Sequence, residues 1–398
     1  MAPLQLRIAK PEPRPRTPGF SSEGVGATVV WGQGSHRNVI TQRGTGGLAL
    51  IAILLSCGGG QKFEGTFDIK LPQPEVVVST ESELLGNPSD IALDSEGRIW
   101  IADPPNRRVV LLDHEGRMIR TIGRGGDGPG EFQWPAKVAV NDTVVRVWDP
   151  MRITVQDYRP DGTHLADHSI SVSRTSPAAA LSIEGPLVIP TFGGDSALAV
   201  LHTVGSSATT RLGPLVVPEP VTGDLFALSN AIKAEARQGR VPTQVRNMAV
   251  TPATGTDGTV WLLVQTEHEV RKYSQDGTLL WQRVLEVPEV ESTFREFFRR
   301  TIELEPNAPA FPPIMLDAAR EIGGTLWILM HGEAGHPSVF YLLDSRSGRV
   351  QGRLTVAVSA PARGFNVDTA RKLLYLAIPE EAALLGVDLR STTGLSWE

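Results

Sequence analysis

The chain has 398 residues, 41% hydrophobic and 21% charged, which provides for a sizeable core and excludes global disorder. The formal charge of −6 is uneven: residues 1–56 hold six Lys/Arg against two Asp/Glu, so the remainder is net −10 and lacks the basic footprint that nucleic-acid binding needs. One cysteine excludes an intrachain disulfide, a zinc–cysteine cluster and a CxxC redox site, while 40 glycines and 30 prolines point to a turn-rich β protein and away from a helical bundle.

In chain order, the first feature is a Pro-rich stretch at residues 11–18, which cannot make regular helix or strand. Residues 48–56 then read Leu-Ala-Leu-Ile-Ala-Ile-Leu-Leu-Ser behind Arg43. As a helix they would span about 13 Å, far short of a ~30 Å hydrocarbon core. The run reads instead as the apolar region of a secretory signal. Leu54-Leu55-Ser56-Cys57, followed by Gly58-Gly59-Gly60, resembles the lipobox of bacterial lipoprotein signal peptides. That resemblance implies cleavage before Cys57, lipid attachment at Cys57, and a mature protein anchored to a membrane of the bacterial cell envelope, facing the periplasm or exterior. Such signals are short, so translation is expected to start near Val39, with residues 1–38 as an extension.

A repeat governs the rest of the chain. Within residues 88–123 lie four β-rich runs at 91–93, 99–102, 109–112 and 118–122, separated by Glu96-Gly97, Pro104-Pro105-Asn106 and Glu115-Gly116. Four short strands joined by tight turns describe one blade of a β-propeller. The unit recurs from Pro135, with Val145-Arg146-Val147-Trp148 as second strand, and in degraded form over 176–213. Further copies carry Val260-Trp261-Leu262-Leu263, Leu326-Trp327-Ile328-Leu329 and Leu373-Leu374-Tyr375-Leu376 at the same point. Trp100 and Trp148 are 48 residues apart, as are Trp327 and Tyr375, and these rings are expected to pack between neighbouring blades. Blades bury their faces only against one another, so six copies should close into a ring. Residues 75–80 offer an outer strand for the last blade. The expected organisation is an extension and signal peptide at 1–56, a flexible tether at 57–73, and an all-β, six-bladed β-propeller with short helical inserts at 74–392.

The inserts are segments 223–240 and 289–305, which break the alternation on either side of the fourth copy. Phe294, Phe297, Phe298 and Ile302 fit one helical face. Inter-blade connections carry function more often than scaffold does, so the two inserts are expected to form a lid beside the axial opening.

From Pro88 to about Ile170 the chain resembles the NHL-repeat-type six-bladed β-propellers of bacterial envelopes. The residues carrying the likeness are Ala-Asp-Pro-Pro-Asn-Arg-Arg-Val at 102–109 and Gly-Arg-Gly-Gly-Asp-Gly-Pro-Gly-Glu-Phe at 123–132. The resemblance implies a fold and no particular activity.

Gly123-Arg124-Gly125-Gly126-Asp127-Gly128 matches G-x-G-x-x-G, but Pro129-Gly130 follows and cannot open the helix that would hold a pyrophosphate. It reads as an inter-blade loop. Trp148-Asp149 lacks the Gly-His partner of a WD repeat. His331 and His336 flank a Gly-rich loop and could make a pair, but metal ligation is the minor reading for them. No G-x-S-x-G elbow appears. No catalytic residue, metal ligand or cofactor is therefore expected. Aligning the copies places Asp90, Lys137, Ala178, Asn247, Pro313 and Gly364 around the axial opening, with Asp90, Lys137 and Asn247 as candidate binding residues at the channel mouth. The expectation is a monomeric, lipid-anchored binding or scaffold module for a protein or small ligand, with no nucleic-acid partner. The alternative is a lactonase- or lyase-like enzyme acting at the axial opening.

Overall fold

The computed structural model describes residues 67–398 apart from 173–175, 177, 193–195, 219–224, 242, 393–394 and 396–398. The expected signal segment, Cys57 and the start near Val39 lie outside the described residues.

Six sheets follow one another along the chain, antiparallel throughout except for one added parallel strand. After β1 (Phe67–Lys70) and β2 (Glu75–Val78), blade one contains β3 (Asp90–Leu93), β4 (Ile99–Asp103), β5 (Arg108–Leu112) and β6 (Met118–Ile122). Blade two contains β7 (Lys137–Val140), β8 (Val145–Asp149), β9 (Thr154–Tyr158) and β10 (His164–Ser169). Blade three is β11 (Ala180–Leu181), β12 (Leu187–Pro190), β13 (Ala199–His202) and β14 (Thr209–Leu212). Blade four is β15 (Val250–Thr254), β16 (Val260–Val264), β17 (Glu269–Tyr273) and β18 (Leu279–Val284). Blade five is β19 (Leu316–Ile322), β20 (Thr325–Met330), β21 (Ser338–Asp344) and β22 (Val350–Val356). Blade six is β23 (Gly364–Asp368), β24 (Leu373–Ile378) and β25 (Ala383–Asp388). The four strands expected for the first copy are thus present to within a residue of their expected bounds.

The turns follow from their residues. In Asp94-Ser95-Glu96-Gly97 the Asp94 carboxylate accepts the backbone N–H groups of Glu96 and Arg98, and Gly97 takes the left-handed φ of +75° that closes the hairpin.

Closure is made as expected. β2 pairs antiparallel with β25 as the outer strand of blade six, so the two ends of the ring share one sheet. The innermost strands β3, β7, β11, β15, β19 and β23 touch in that order, and β23 returns to β3. Each blade interface has its own apolar core. Trp100 packs with Val138 and Tyr158 between blades one and two, Trp148 with Leu187 and Ile189 between two and three. Trp261 lies with Met315 and Leu326 between four and five, Trp327 with Phe365 between five and six, and Tyr375 with Ile91 and Ile101 between six and one. Blade three lacks the aromatic, and Val188 with Leu201 fills that interface against Val260 and Leu262. The 48-residue spacing hides one register difference: Trp100 stands opposite Ala92, whereas Trp148 stands opposite Lys137. Their indole N–H groups consequently find different acceptors, the Asp94 carboxylate and the Ser176 carbonyl.

Within the segment expected as a tether, Phe67–Lys70 forms a strand. β1 pairs in parallel with β22 as a fifth strand of blade five, and Phe67 lies over Gly352, where a Cβ would come within 1.9 Å of its ring. An edge strand needs few residues to be extended, and the alternation Phe67-Asp68-Ile69-Lys70 was too brief to stand out in sequence.

Both inserts contain helices, α1 (Leu225–Ala236) and α2 (Pro288–Glu303). Proline at the first position and acids in the first turn suit the start of α2. Val290 and Phe297 are buried, but Ile302 is half exposed, so the buried face is narrower than the expected stripe. Among the described residues no helix is long and apolar enough to cross a membrane.

Candidate functional site

In each blade the chain enters the innermost strand, turns, and returns, so the connection between blades and the second turn of each blade emerge on one face. The first and third turns emerge on the other. The face of the inter-blade connections bears α1, α2 and the starts of the innermost strands.

At the axis lies a cavity of about 70 Å³ lined by all six innermost strands or the residues just before them. Its charged lining residues are Asp90, Lys137, Asp317, Arg320 and Arg363. Asp90 is buried, and each of its oxygens has a partner. One accepts the Val138 N–H at 3.0 Å, and the other accepts the Arg320 guanidinium at 2.9 Å across the axis from blade five. Lys137 also lines the cavity. Asn247 does not: it is fully buried, accepts the Val216 N–H and donates to the Val217 carbonyl, pinning the connection that leads to α1. Blade four presents Thr251 to the cavity in its place. Pro313 likewise lies outside the lining, and Asp317 and Arg320 represent blade five.

Asp317, Arg320 and Arg363 were missed for identifiable reasons. The register of β19 shifts between Leu316 and Ala318, which leaves Asp317 without a cross-strand partner. A bulge of this kind re-aims a side chain, and Asp317 accepts the Arg363 guanidinium at 2.9 Å and lies 2.8 Å from His331 Nδ1. Burial works against the Arg363 charge, but Asp317 and Glu380 outweigh it and hold the guanidinium above the ordinary arginine range. The signal for Arg320 was available. It stands opposite Trp327 as Ala92 stands opposite Trp100, and it is a long cation where blades one and four have alanine. His331 and His336 part company: His331 joins Asp317, while His336 is exposed at the loop tip. Among the described residues no three His, Cys, Asp or Glu side chains converge as metal ligands.

Two buried acids near this face are fasteners. Asp103 accepts the N–H groups of Gly86 and Asn87. Asp149 does the same for Gln133, Trp134, Met151 and Arg152. Each clamps an inter-blade connection beside its own turn, which gives the Asp of Trp148-Asp149 a structural role. The G-x-G-x-x-G segment is an inter-blade loop, as expected. Gly125 bridges to Phe132, whose ring is fully buried between blades one and two.

The helices meet each other. Leu228, Ile232 and Ala236 of α1 share a small core with Phe297 of α2, Val245 and Ala310. Lys233, buried, donates to the carbonyls of Glu305 and Pro306. No residue of either helix is among those lining the cavity, so the pair forms a separate feature of the same face. Its arginines are neutralised locally: Arg295 pairs with Glu291, and Arg299 with Glu296 and Glu303.

A family model described as a six-bladed β-propeller matches residues 77–168, the closing strand and the first two blades. No curated protein matches the sequence. Among solved structures, the chain is similar to a streptogramin B lyase at 11% identity, covering 76% of this chain and 93% of that one with a TM-score of 0.43. It is similar to virginiamycin B lyase from Staphylococcus aureus at 12% identity, 79% and 97% coverage and a TM-score of 0.42. An exported-type protein from Bacteroides fragilis gives 10% identity, 81% and 98% coverage and a TM-score of 0.44. Likenesses of this size carry no activity to this chain. Its sheets and their closure define a six-bladed β-propeller.

Proposed function

We propose that this chain is a binding or scaffold propeller of the bacterial cell envelope, lipid-anchored through Cys57, monomeric, and engaging its ligand or partner on the face of the inter-blade connections. The anchor rests on the lipobox-like sequence at residues 54–57 and the likeness to NHL-type propellers on residues 102–109 and 123–132. The observation that carries the binding role is the placing of exposed apolar side chains. Met151, Phe226 and Phe311 are 71%, 67% and 69% exposed, and with Trp134 and Ile314 they all stand in connections on that one face. Others, such as Met118, Ile119 and Leu280, lie along outer strands, but the three most exposed are on the connection face, and exposed apolar patches mark interaction surfaces.

The lactonase- or lyase-like alternative places chemistry in the axial cavity. At about 70 Å³, that cavity is well below the roughly 300–1,000 Å³ of clefts that enclose small-molecule substrates, which favours binding over catalysis. Two variants of the full chain test the proposal. Wild type is expected in the membrane fraction and Cys57→Ser in the soluble one. Envelope proteins cross-linked to the wild type are expected to be lost with Phe226→Ser/Phe311→Ser. A wild type that fractionates as soluble ends the anchor, and cross-links unchanged in the double variant end the binding face.

A further inference from the structure

We infer that the axial cavity is a binding site for one small anion, a carboxylate or phosphate group, held by Lys137. The inference rests on the reading that ligands approach from the connection face, and it names the chemistry recognised there.

The argument is one of unspent donors. Asp90 has both oxygens occupied, by Val138 N–H and Arg320. Asp317 has both occupied as well, by Arg363 and His331. The two carboxylates of the lining are thus taken up by two guanidinium groups, Arg363 pairing in addition with Glu380 outside the lining at 3.1 Å, and the Lys137 ammonium is the lining cation left over. Among the described residues Lys137 has neither a hydrogen-bond nor an ion-pair partner, although its ammonium carries three donors. Thr251 Oγ1 accepts from Gln265 Nε2 at 2.9 Å, which leaves its own O–H free to donate. Arg320 uses one Nη on Asp90, and its other N–H groups remain.

The side chains of the cavity therefore offer unused donors, that of Lys137 charged, while their carboxylates are consumed. A group that only accepts, carries about one negative charge and is a few atoms in size complements this set. The volume agrees. A water occupies roughly 10–15 Å³ by the same measure, so the cavity has room for about five waters or for one such anion. A cation would meet the Lys137 ammonium with no free carboxylate beside it, and an apolar molecule would use none of its three donors. Lys137 is also set apart in sequence, since it occupies the position at which blade one carries Asp90.

The test uses the full chain with acetate and inorganic phosphate as probes, followed by calorimetry and by the 13C signal of methylated Lys137. Saturable binding of one anion per chain is expected for at least one probe, with a shift of the Lys137 signal. Charge-assisted hydrogen bonds of this kind are worth about 10- to 100-fold in affinity. Lys137→Met should lose that factor and Lys137→Arg should recover part of it, with the melting temperature of both unchanged because Lys137 holds nothing in the fold. Phosphate binding with acetate inert assigns a phosphorylated ligand, and the reverse assigns a carboxylate. No binding by either probe, or binding unaffected by Lys137→Met, overturns the inference. The wild-type titration decides even if a variant fails to fold. Absence of anion binding by the wild type, with cross-linking through Phe226 and Phe311 intact, would refute this site and leave the proposed function standing; anion binding without those cross-links would do the opposite.

Discussion

The ring and the helical pair are both apolar assemblies, yet they are built to different standards. In the ring every blade buries its two faces against neighbours, and each interface has a continuous core, as with Trp261 among Met315, Leu316, Leu326 and Ile328. The helical pair encloses one small cluster around Ile232 and Phe297, while α2 also joins the core between blades four and five through Val290 and Phe294, and polar contacts fasten the pair at a few further points. Lys233 reaches the carbonyls of Glu305 and Pro306, Ser229 Oγ accepts the Ala310 N–H, and Glu289 pairs with Arg353 at 2.7 Å. The difference teaches that the scaffold and the surface it carries can vary separately. A closed ring transmits a defect to every blade, whereas an insertion with its own small core can open without unfolding what bears it.

That contrast can be broken by experiment, and the largest effect belongs to the ring. Trp261→Ala removes a fully buried indole and its hydrogen bond to Glu321. It should destabilise the whole protein by about 3–5 kcal/mol, measured as a single cooperative shift in denaturant unfolding. A transition that splits, with other blades surviving, would show that the ring is not one cooperative unit.

The second expected effect is local. Ile232→Ala empties the centre of the helical core, a loss of about 2–5 kcal/mol where it falls. Hydrogen exchange should quicken in α1 and α2 while the ring amides and the main unfolding transition stay near wild type. If the transition instead drops as far as it does for Trp261→Ala, the pair is part of the ring's stability.

The smallest effect is in pH. Burial lowers the His268 pKa, and the neighbouring acids Glu267, Glu269 and Glu286 only partly offset it. Its ring lies 5.4 Å from Phe294 of α2. A histidine whose folded pKa lies below its unfolded value contributes stability that is present above the unfolded value, near 6.5, and lost as pH falls towards the folded one. Stability should therefore decline as pH drops below about 6.5, and exchange in α2 should report it first. His268→Asn, which tolerates the left-handed backbone at this position, should flatten that slope. An unchanged slope assigns the acid sensitivity to other groups.

Much of the architecture was legible in the sequence because its causes are local. Alternating apolar and β-branched runs, Asp- and Gly-bearing turns and one large ring per copy specify strands, hairpins and the faces between blades, and the closing strand at Glu75–Val78 could be read because a ring requires one. Blade three could be read only faintly, since Val188 stands where other copies carry an aromatic ring. Of the candidate binding residues, Asp90 and Lys137 line the axial cavity because both begin innermost strands. Asn247 was not, because a fully buried amide beside a strand looks the same in sequence as one that lines an opening.

What the sequence by itself determined is the repeating unit, its number and the side chains that glue copies together, all set by periodicity over a few residues. The tertiary structure decided which charges meet. Arg320 reaches Asp90 from a blade 230 positions away in sequence, Asp317 turns to Arg363 through a one-residue bulge, and among the described residues Lys137 has no ion-pair partner. Local pattern is blind to these pairings. They depend on how six strands converge on one axis and on how far a guanidinium extends, and both exist only once the ring has closed.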